Sequence, residues 1–403
     1  MLLCSINDVR PGTVLGAVVT DPQVPGHDLL RPGVALDSAM ITRLKRRGVH
    51  SVWIEDDFTR DLDAAVAPKL EAARMAVYAQ LRSGLAASAK GTLTTTTVKE
   101  QRRAVMGLVL EAIGSARYAS LTDSLFSSSG QAGHGANVAY LSLLTGLHLE
   151  SYVVMEQKRL DRRMARDMSV LGLAGLLHDV GKTVAGDAES SKHEVHLADS
   201  GELDEAYAGH VTAGKRALEQ SGAPARVTHA VLNHHQRFDG SGWPDLSVVS
   251  AGSRAGALSG RRIHIFARIV AAANVLDNLL RDADGAKRPP VAALHAFASA
   301  RFDGWFDPVV RSAMLLRMPP FAIGTEVRLS DSRRAVVVEP CAEDPCRPTV
   351  RALPDSSEAE PETVALSSRR DLTITHSLGE EVGKYLYEAP AAVSVADAAR
   401  AAA

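Results

Sequence analysis

A chain of 403 residues, 46% of them apolar, is long enough for two or three domains and for a sizeable buried core. Aromatic residues make up only 4%, so packing falls to Leu, Val and Ala, which favours helices over a large sheet. A formal net charge of -2, with both signs mixed along the chain, excludes a polybasic nucleic-acid footprint, and no stretch approaches the ~20 apolar residues that span a bilayer.

Cys4, Cys341 and Cys346 show no zinc-ligand spacing, and their scarcity suits a reducing compartment. The start, Met1-Leu-Leu-Cys4, lacks a basic n-region and a long apolar run, so the expected location is the cytoplasm, with no membrane insertion.

Residues 1–60 read as a small α/β unit. Pro11-Gly12 and Arg31-Pro32-Gly33 are turns, Val14 to Val19 suits a strand, Asp37 can cap a helix reaching Arg46, and Val49 to Ile54 suits a second strand. No polar cluster converges there, so a regulatory or structural role is expected. Residues 61–119 read as a helical connector, interrupted by Gly91 and the threonine run Thr92–Thr97, taken as a loop or frayed boundary. The connector then resumes from Lys99 to Tyr118 on a stripe of Val105, Leu108, Val109, Ala112 and Ile113. Ser127 to Gly133 is flexible punctuation before the main helical domain, 120–323.

Within that domain His134 falls on the first turn of a helix burying Val138, Leu141 and Leu144. Alone it reads as a surface or capping histidine. Residues 151–168 read as a solvated, mixed-charge helix. Leu171 to Leu177 is apolar and ends abruptly in His178-Asp179-Val-Gly181-Lys182. A carboxylate can bridge two cations while the adjacent imidazole binds one, and this donor set suits iron, manganese or zinc rather than a thiolate site. Gly181 is expected to turn the backbone after the helix, and Lys182 to place a cation near whatever the metals bind.

His193 and His196 have polar flanks and read as loop residues, whereas His210 opens a helix to Ser221. Val227 and Val231 drive another helix into the core, ending in His234-His235 and the turn Asp239-Gly-Ser-Gly242-Trp243-Pro244. Adjacent histidines do not share a helix face, so one is expected on a metal and the other on a neighbouring metal or a substrate oxygen. Ile263 to Asp277 is a deeply buried helix carrying Asn274 and Asp277 three apart on one face. Asp277 can ligate, orient water or anchor an imidazole; Asn274, uncharged, is a poor ligand. Arg268 calls for a core carboxylate that the sequence does not identify.

Residues 324–388 change character. Gly324 to Leu329 and Ala335 to Val338 read as a hairpin through Asp331-Ser, and Thr349–Leu353, Glu362–Leu366 and Leu372–Thr375 can add strands to a small β-rich appendage. Residues 389–403 read as a frayed Ala-rich tail.

Taken together, His178-Asp179-Val-Gly181-Lys182, His210, His234-His235, Asp239 to Pro244, and Ala267-Arg268-Ile269 leading to Asp277 resemble the HD-GYP family, from about His134 to Pro320. The resemblance implies an all-helical, HD-type metal phosphohydrolase that cleaves cyclic di-GMP to linear pGpG, GMP or both. By that likeness His134, His178, Asp179, His210, His234 and His235 form the metal shell, with Asn274 where the family carries a closing carboxylate. Two divalent cations, iron or manganese, are implied, with Asp179 bridging them and a bridging hydroxide attacking phosphorus. Lys182 would hold a nonbridging phosphate oxygen, and Asp277 would position water or a ligand. The partners implied are a small cyclic dinucleotide and signalling proteins, not a DNA or RNA polymer. This chain departs from the family pattern at Trp243 for tyrosine, Gln236 for glutamate and Gly130 for a glutamate found in some members. With Asn274, these departures leave the alternative of a degenerate domain that binds the dinucleotide or a partner protein without turnover.

Overall fold

The N-terminal unit closes on the pairing of its first and last strands. Leu2–Ser5 (β1) runs antiparallel to Ser51–Ile54 (β4), with Leu3 opposite Trp53 and Cys4 opposite Val52. Between them lie the short hairpin Val19–Thr20 (β2) and Asp28–Leu30 (β3), and the helix Ser38–Arg46 (α1). Asp37 caps α1 by accepting from the Met40 N–H at 2.7 Å, and Ile41 and Leu44 point into a core with Leu15, Leu36 and Val52. The expected strand from Val14 shrinks, because Val14 and Leu15 make only isolated bridges. The computed structural model describes residues 1–22, 24, 27–65, 68–114, 130–184, 205–244, 258–282, 287–353, 362–388 and 390.

The connector is a helix pair, Pro68–Ala89 (α2) and Thr95–Gly114 (α3). The second helix begins inside the threonine run rather than after it. The Thr94 hydroxyl accepts from the Thr97 N–H at 3.2 Å, so β-branched residues that disfavour a helix interior serve here as its start. Val105, Leu108 and Ala112 are fully buried, but Ile113 is 59% exposed and leaves the expected stripe. Tyr118 and the punctuation at 127–129 lie outside the described residues.

Three helices make the centre: Gln131–His148 (α4), Met168–Leu177 (α7) and Ile265–Leu279 (α11). The last two are apolar almost all round, so they sit inside rather than on a surface. Around them pack Val180–Val184 (α8), Glu205–Gln220 (α9) and Ala225–Asn233 (α10). Pro290–Ala298 (α12) and Pro308–Arg317 (α13) complete the bundle. Among the described residues, no single helix is long and apolar enough to cross a membrane.

The mixed-charge segment is not one solvated helix. It breaks into Glu150–Glu156 (α5) and Arg162–Ala165 (α6), and Glu156 turns inward. There it accepts from Arg261 and Arg268, and Arg268 also reaches Asp307, the cap of α13, at 2.5 Å. Tyr152 donates to Asp307 at 2.8 Å. Glu156 and Asp307 are therefore the carboxylates that Arg268 requires.

The C-terminal region is a six-stranded antiparallel sheet. Its strands are Glu326–Leu329 (β5), Arg334–Glu339 (β6), Thr349–Ala352 (β7), Thr363–Ala365 (β8), Ile374–Ser377 (β9) and Glu380–Glu381 (β10), in the order β10-β9-β5-β6-β7-β8. The hairpin turns through Asp331-Ser332, with Ser332 at φ 73°. The sheet meets both neighbours. Leu3 N–H donates to Gly324 O at 2.8 Å, Arg351 pairs with Asp61, and Tyr387 donates to Leu315 O at 3.1 Å.

The charge network sets a stability expectation. Asp307→Ala leaves the buried Arg268 and Tyr152 short of an acceptor and removes the α13 cap, so it should destabilise the protein by about 3 kcal/mol. Urea unfolding measures this; an unchanged midpoint would show that the network is energetically idle.

Candidate metal centre

The site forms where two core helices run out. The apolar run of α7 ends with His178 as its cap residue, and α10 ends with His234 as its own. Each imidazole uses the same local anchor. His178 Nδ1 lies 2.8 Å from Gly175 O, and His234 Nδ1 lies 2.8 Å from Val231 O. A carbonyl only accepts, so both rings carry the proton on Nδ1 and turn an Nε2 lone pair inward. His134, on the first turn of α4, has Nδ1 at 2.7 Å from Asp277 Oδ2, which orients it the same way.

These atoms converge on Asp179. Its Oδ1 lies 3.2 Å from His210 Nε2 and 3.6 Å from His234 Nε2, while its Oδ2 lies 3.4 Å from His178 Nε2 and 3.8 Å from His134 Nε2. The side chains thus fall into two groups of candidate ligands sharing one carboxylate: Asp179, His210, His234 and His235; and His134, His178 and Asp179. Within each group the ligand atoms lie within 4.8 Å of one another. His234 and His235 enter the same candidate group, with ring centroids 4.0 Å apart. The helix stops at Asn233, so the spacing rule for a helix face no longer governs the pair.

Gly181 plays another part than the turn expected of it. It lies inside α8, and a Cβ there would fall 1.8 Å from His210 O. Its bare Cα lets α9 approach closely enough for His210 to reach Asp179. Lys182 is buried and donates to Asp179 Oδ2 at 2.6 Å.

Asp277 lies behind His134 and also accepts from Asn137 Nδ2 at 2.8 Å. Asn274 Oδ1 accepts from Asn278 Nδ2 at 3.1 Å. Two contributors escape a reading of the sequence. Asn137 sits three residues after His134 on the same helix, a spacing that could have pointed to it. Gln131 donates to Asp179 O and accepts from the Thr183 hydroxyl, each at 2.7 Å, bracing α8; nothing in the sequence marks it. His193 and His196 lie outside the described residues.

Burial opposes charge on Asp179, yet the Lys182 ammonium in contact with it holds its carboxyl well below the usual range. Burial pushes the imidazoles down: His178 and His235 below their ordinary value, His234 to about 3. A cluster of neutral imidazoles around an ionised carboxylate is the donor set of a divalent metal. The geometry agrees. Asp179 Oδ1 and His234 Nε2 are buried without a hydrogen-bond partner among the described residues. With the Nδ1 atoms of His134 and His178 on Asp277 and Gly175 O, their Nε2 atoms face each other at 3.1 Å, an arrangement that a cation relieves.

The turn after His235 packs on the site. Trp243 stacks on the His235 ring at 4.0 Å and 15° between planes. Gly242 permits this, since a Cβ there would lie 2.4 Å from His235 O.

The HD domain family matches residues 133–279, a span that carries every candidate metal ligand above. Cyclic di-GMP phosphodiesterase PA4108 of Pseudomonas aeruginosa is 30% identical over 339 residues, covering 77% of this chain and 75% of its own. The chain belongs to the HD-GYP family. A solved HD-GYP-type structure, Bd1817 from Bdellovibrio bacteriovorus, shares 14% identity at a TM-score of 0.43, covering 78% of this chain and 98% of that one. Against the HD-GYP pattern stated above, Gly130 is the cap position of α4, and Trp243 occupies the tyrosine position as a stacking ring.

The imidazoles give this HD-GYP site a pH signature. Unfolded histidines titrate near ~6.5, whereas folded His178, His234 and His235 take up protons only at lower pH. Their contribution to stability is complete above ~6.5 and is lost as pH falls from there towards 3, with Asp179 adding to the loss below ~4. Chelator-treated protein should therefore melt several degrees lower at pH 5 than at pH 7.5. Equal melting temperatures would contradict buried neutral imidazoles.

Proposed function

We propose that this chain is a metal-dependent phosphodiesterase that hydrolyses cyclic di-GMP, giving linear pGpG, GMP or both. The observation that carries the reading is the division of Asp179: one oxygen faces His210 and His234, the other His134 and His178. That arrangement suits two divalent cations bridged by one carboxylate. Imidazole and carboxylate donors without thiolate suit iron, manganese or zinc, and the likeness to the HD-GYP family favours iron or manganese. The activity carried by the Pseudomonas aeruginosa relative supports the substrate. When bound, such a metal pair activates water as a nucleophile and offsets charge on the transferring phosphoryl group.

The chain's own residues do the rest. His134, His178 and Asp179 would hold one cation; Asp179, His210, His234 and His235 would hold the other. Asp277 acts through His134, fixing the tautomer that turns its Nε2 lone pair towards the site. Lys182 places a point charge beside the shared carboxylate and holds a nonbridging phosphate oxygen of the substrate. By the family likeness Asn274 stands where the shell is closed with a carboxylate; it would offer only a neutral oxygen, so a cation there would be held less tightly.

Purified protein loaded anaerobically with iron or manganese and incubated with cyclic di-GMP should yield product. Tight binding without product would replace this reading with a receptor. Asp179→Ala should lose both metals and all hydrolysis, because each group of ligands loses its only carboxylate. Two metals per chain retained in that variant, by elemental analysis, would rule out the bridge. Asn274→Asp should tighten manganese binding about tenfold, the scale of supporting-residue effects at metal sites. A variant less stable with and without manganese, and no tighter, would place Asn274 in the helical core instead, where a new carboxylate lacks a partner.

A further inference from the structure

Gln236 follows the two histidines directly and is 2% exposed. Its side-chain amide makes two hydrogen bonds of opposite sense. Nε2 donates to Pro244 O at 2.7 Å, and Oε1 accepts from the Leu258 N–H at 2.9 Å. The orientation of the amide is not ambiguous, because Pro244 O can only accept and Leu258 N–H can only donate. One buried side chain thus clamps the end of the Gly242-Trp243-Pro244 turn and the strand of chain entering α11 against the end of α10. That clamp lies under the contact that covers His235: Trp243 stacked at 4.0 Å, with its N–H on His235 O at 3.1 Å.

We infer that Gln236 is a positioning residue that sets Trp243 on His235 and through it fixes the His235 ring for metal binding. The inference rests on the assignment of His235 as a metal ligand. Gln236 touches neither metal nor substrate; it acts by holding the Pro244 carbonyl. The flat face of Trp243, stacked on the His235 ring, restricts its rotation. The clamp requires an amide: a carboxylate at 236 keeps an acceptor for Leu258 N–H but has no donor for Pro244 O, so two oxygens would face each other. The glutamate of the family pattern therefore cannot hold this turn in the same way.

The test uses the full chain and Gln236→Glu, Trp243→Phe and the double variant. Two quantities are read: manganese affinity by calorimetry, and the emission of Trp243, taken as the difference from Trp243→Phe. Gln236→Glu should shift the Trp243 emission in metal-free protein and weaken manganese binding about tenfold. The double variant should bind little worse than the weaker single variant, because both substitutions undo one contact. Effects that simply multiply, or an unmoved Trp243 emission, would overturn the inference. If His235 is not a ligand, the emission shifts while manganese affinity stays at the wild-type value in every variant, so that failure is distinguishable. Gln236→Met, which removes both bonds without adding charge, serves if the glutamate variant does not fold. Failure of both to fold would assign Gln236 to the core alone.

Discussion

The site depends on one buried, ionised carboxylate. Beside Asp179, burial pushes the imidazoles of His178, His234 and His235 down, so these rings supply lone pairs but no charge. Lys182 is the cation in direct contact with it, at 2.6 Å. A carboxylate removed from water is costly unless its charge is met, and a single ammonium on Oδ2 leaves Oδ1 facing imidazole nitrogens. The arrangement is closer to a set of converging acceptors than to a satisfied hydrogen-bond network. Such a set is stabilised by cations, and its two halves meet at the two oxygens of Asp179.

Helix endings supply the precision. A histidine at a helix C-terminus can give its Nδ1–H to the carbonyl three residues back, which would otherwise lack an intrahelical partner. His178 and His234 both do so. One bond satisfies the helix, selects the tautomer and aims Nε2. The rigidity comes from the apolar bodies of α7 and α10, whose packing leaves the ends little freedom. Distant residues meet the other rings: Asp277 from α11 lies on His134 Nδ1, and the Trp243 ring stacks on His235.

A second buried charge cluster holds the bundle beside the site. Arg268 joins Glu156 of α5 to Asp307 at the head of α13, and Tyr152 donates into the same carboxylate. The cluster ties two separate stretches, α5 and the head of α13, to α11, the helix that also carries Asp277 and Asn274. Placement of Asp277 behind His134 therefore relies on charges far from the metal ligands in sequence.

The residue pattern by itself determined the chemistry and most of the helices. An apolar run ending in His178-Asp179, a helix ending in His234-His235 and a late buried helix with Asp277 are local signals. They specify a helical metal site because imidazole and carboxylate at the rim of a core have few other uses. Only the tertiary structure decided how the parts divide. The assignment of Asp179 oxygens to two groups depends on four separate helices meeting. The close approach at Gly181 depends on α9, some thirty positions later. The partners of Arg268 come from about 110 residues before and 39 after. The start of α3 was misread because a threonine run is a poor helix interior but a good cap, and Glu156 because an acid among bases reads as solvated until a buried arginine meets it. Gln236 shows the same limit: a sequence records its amide, but which atoms lie on either side of it is set by how the chain returns at Pro244 and Leu258.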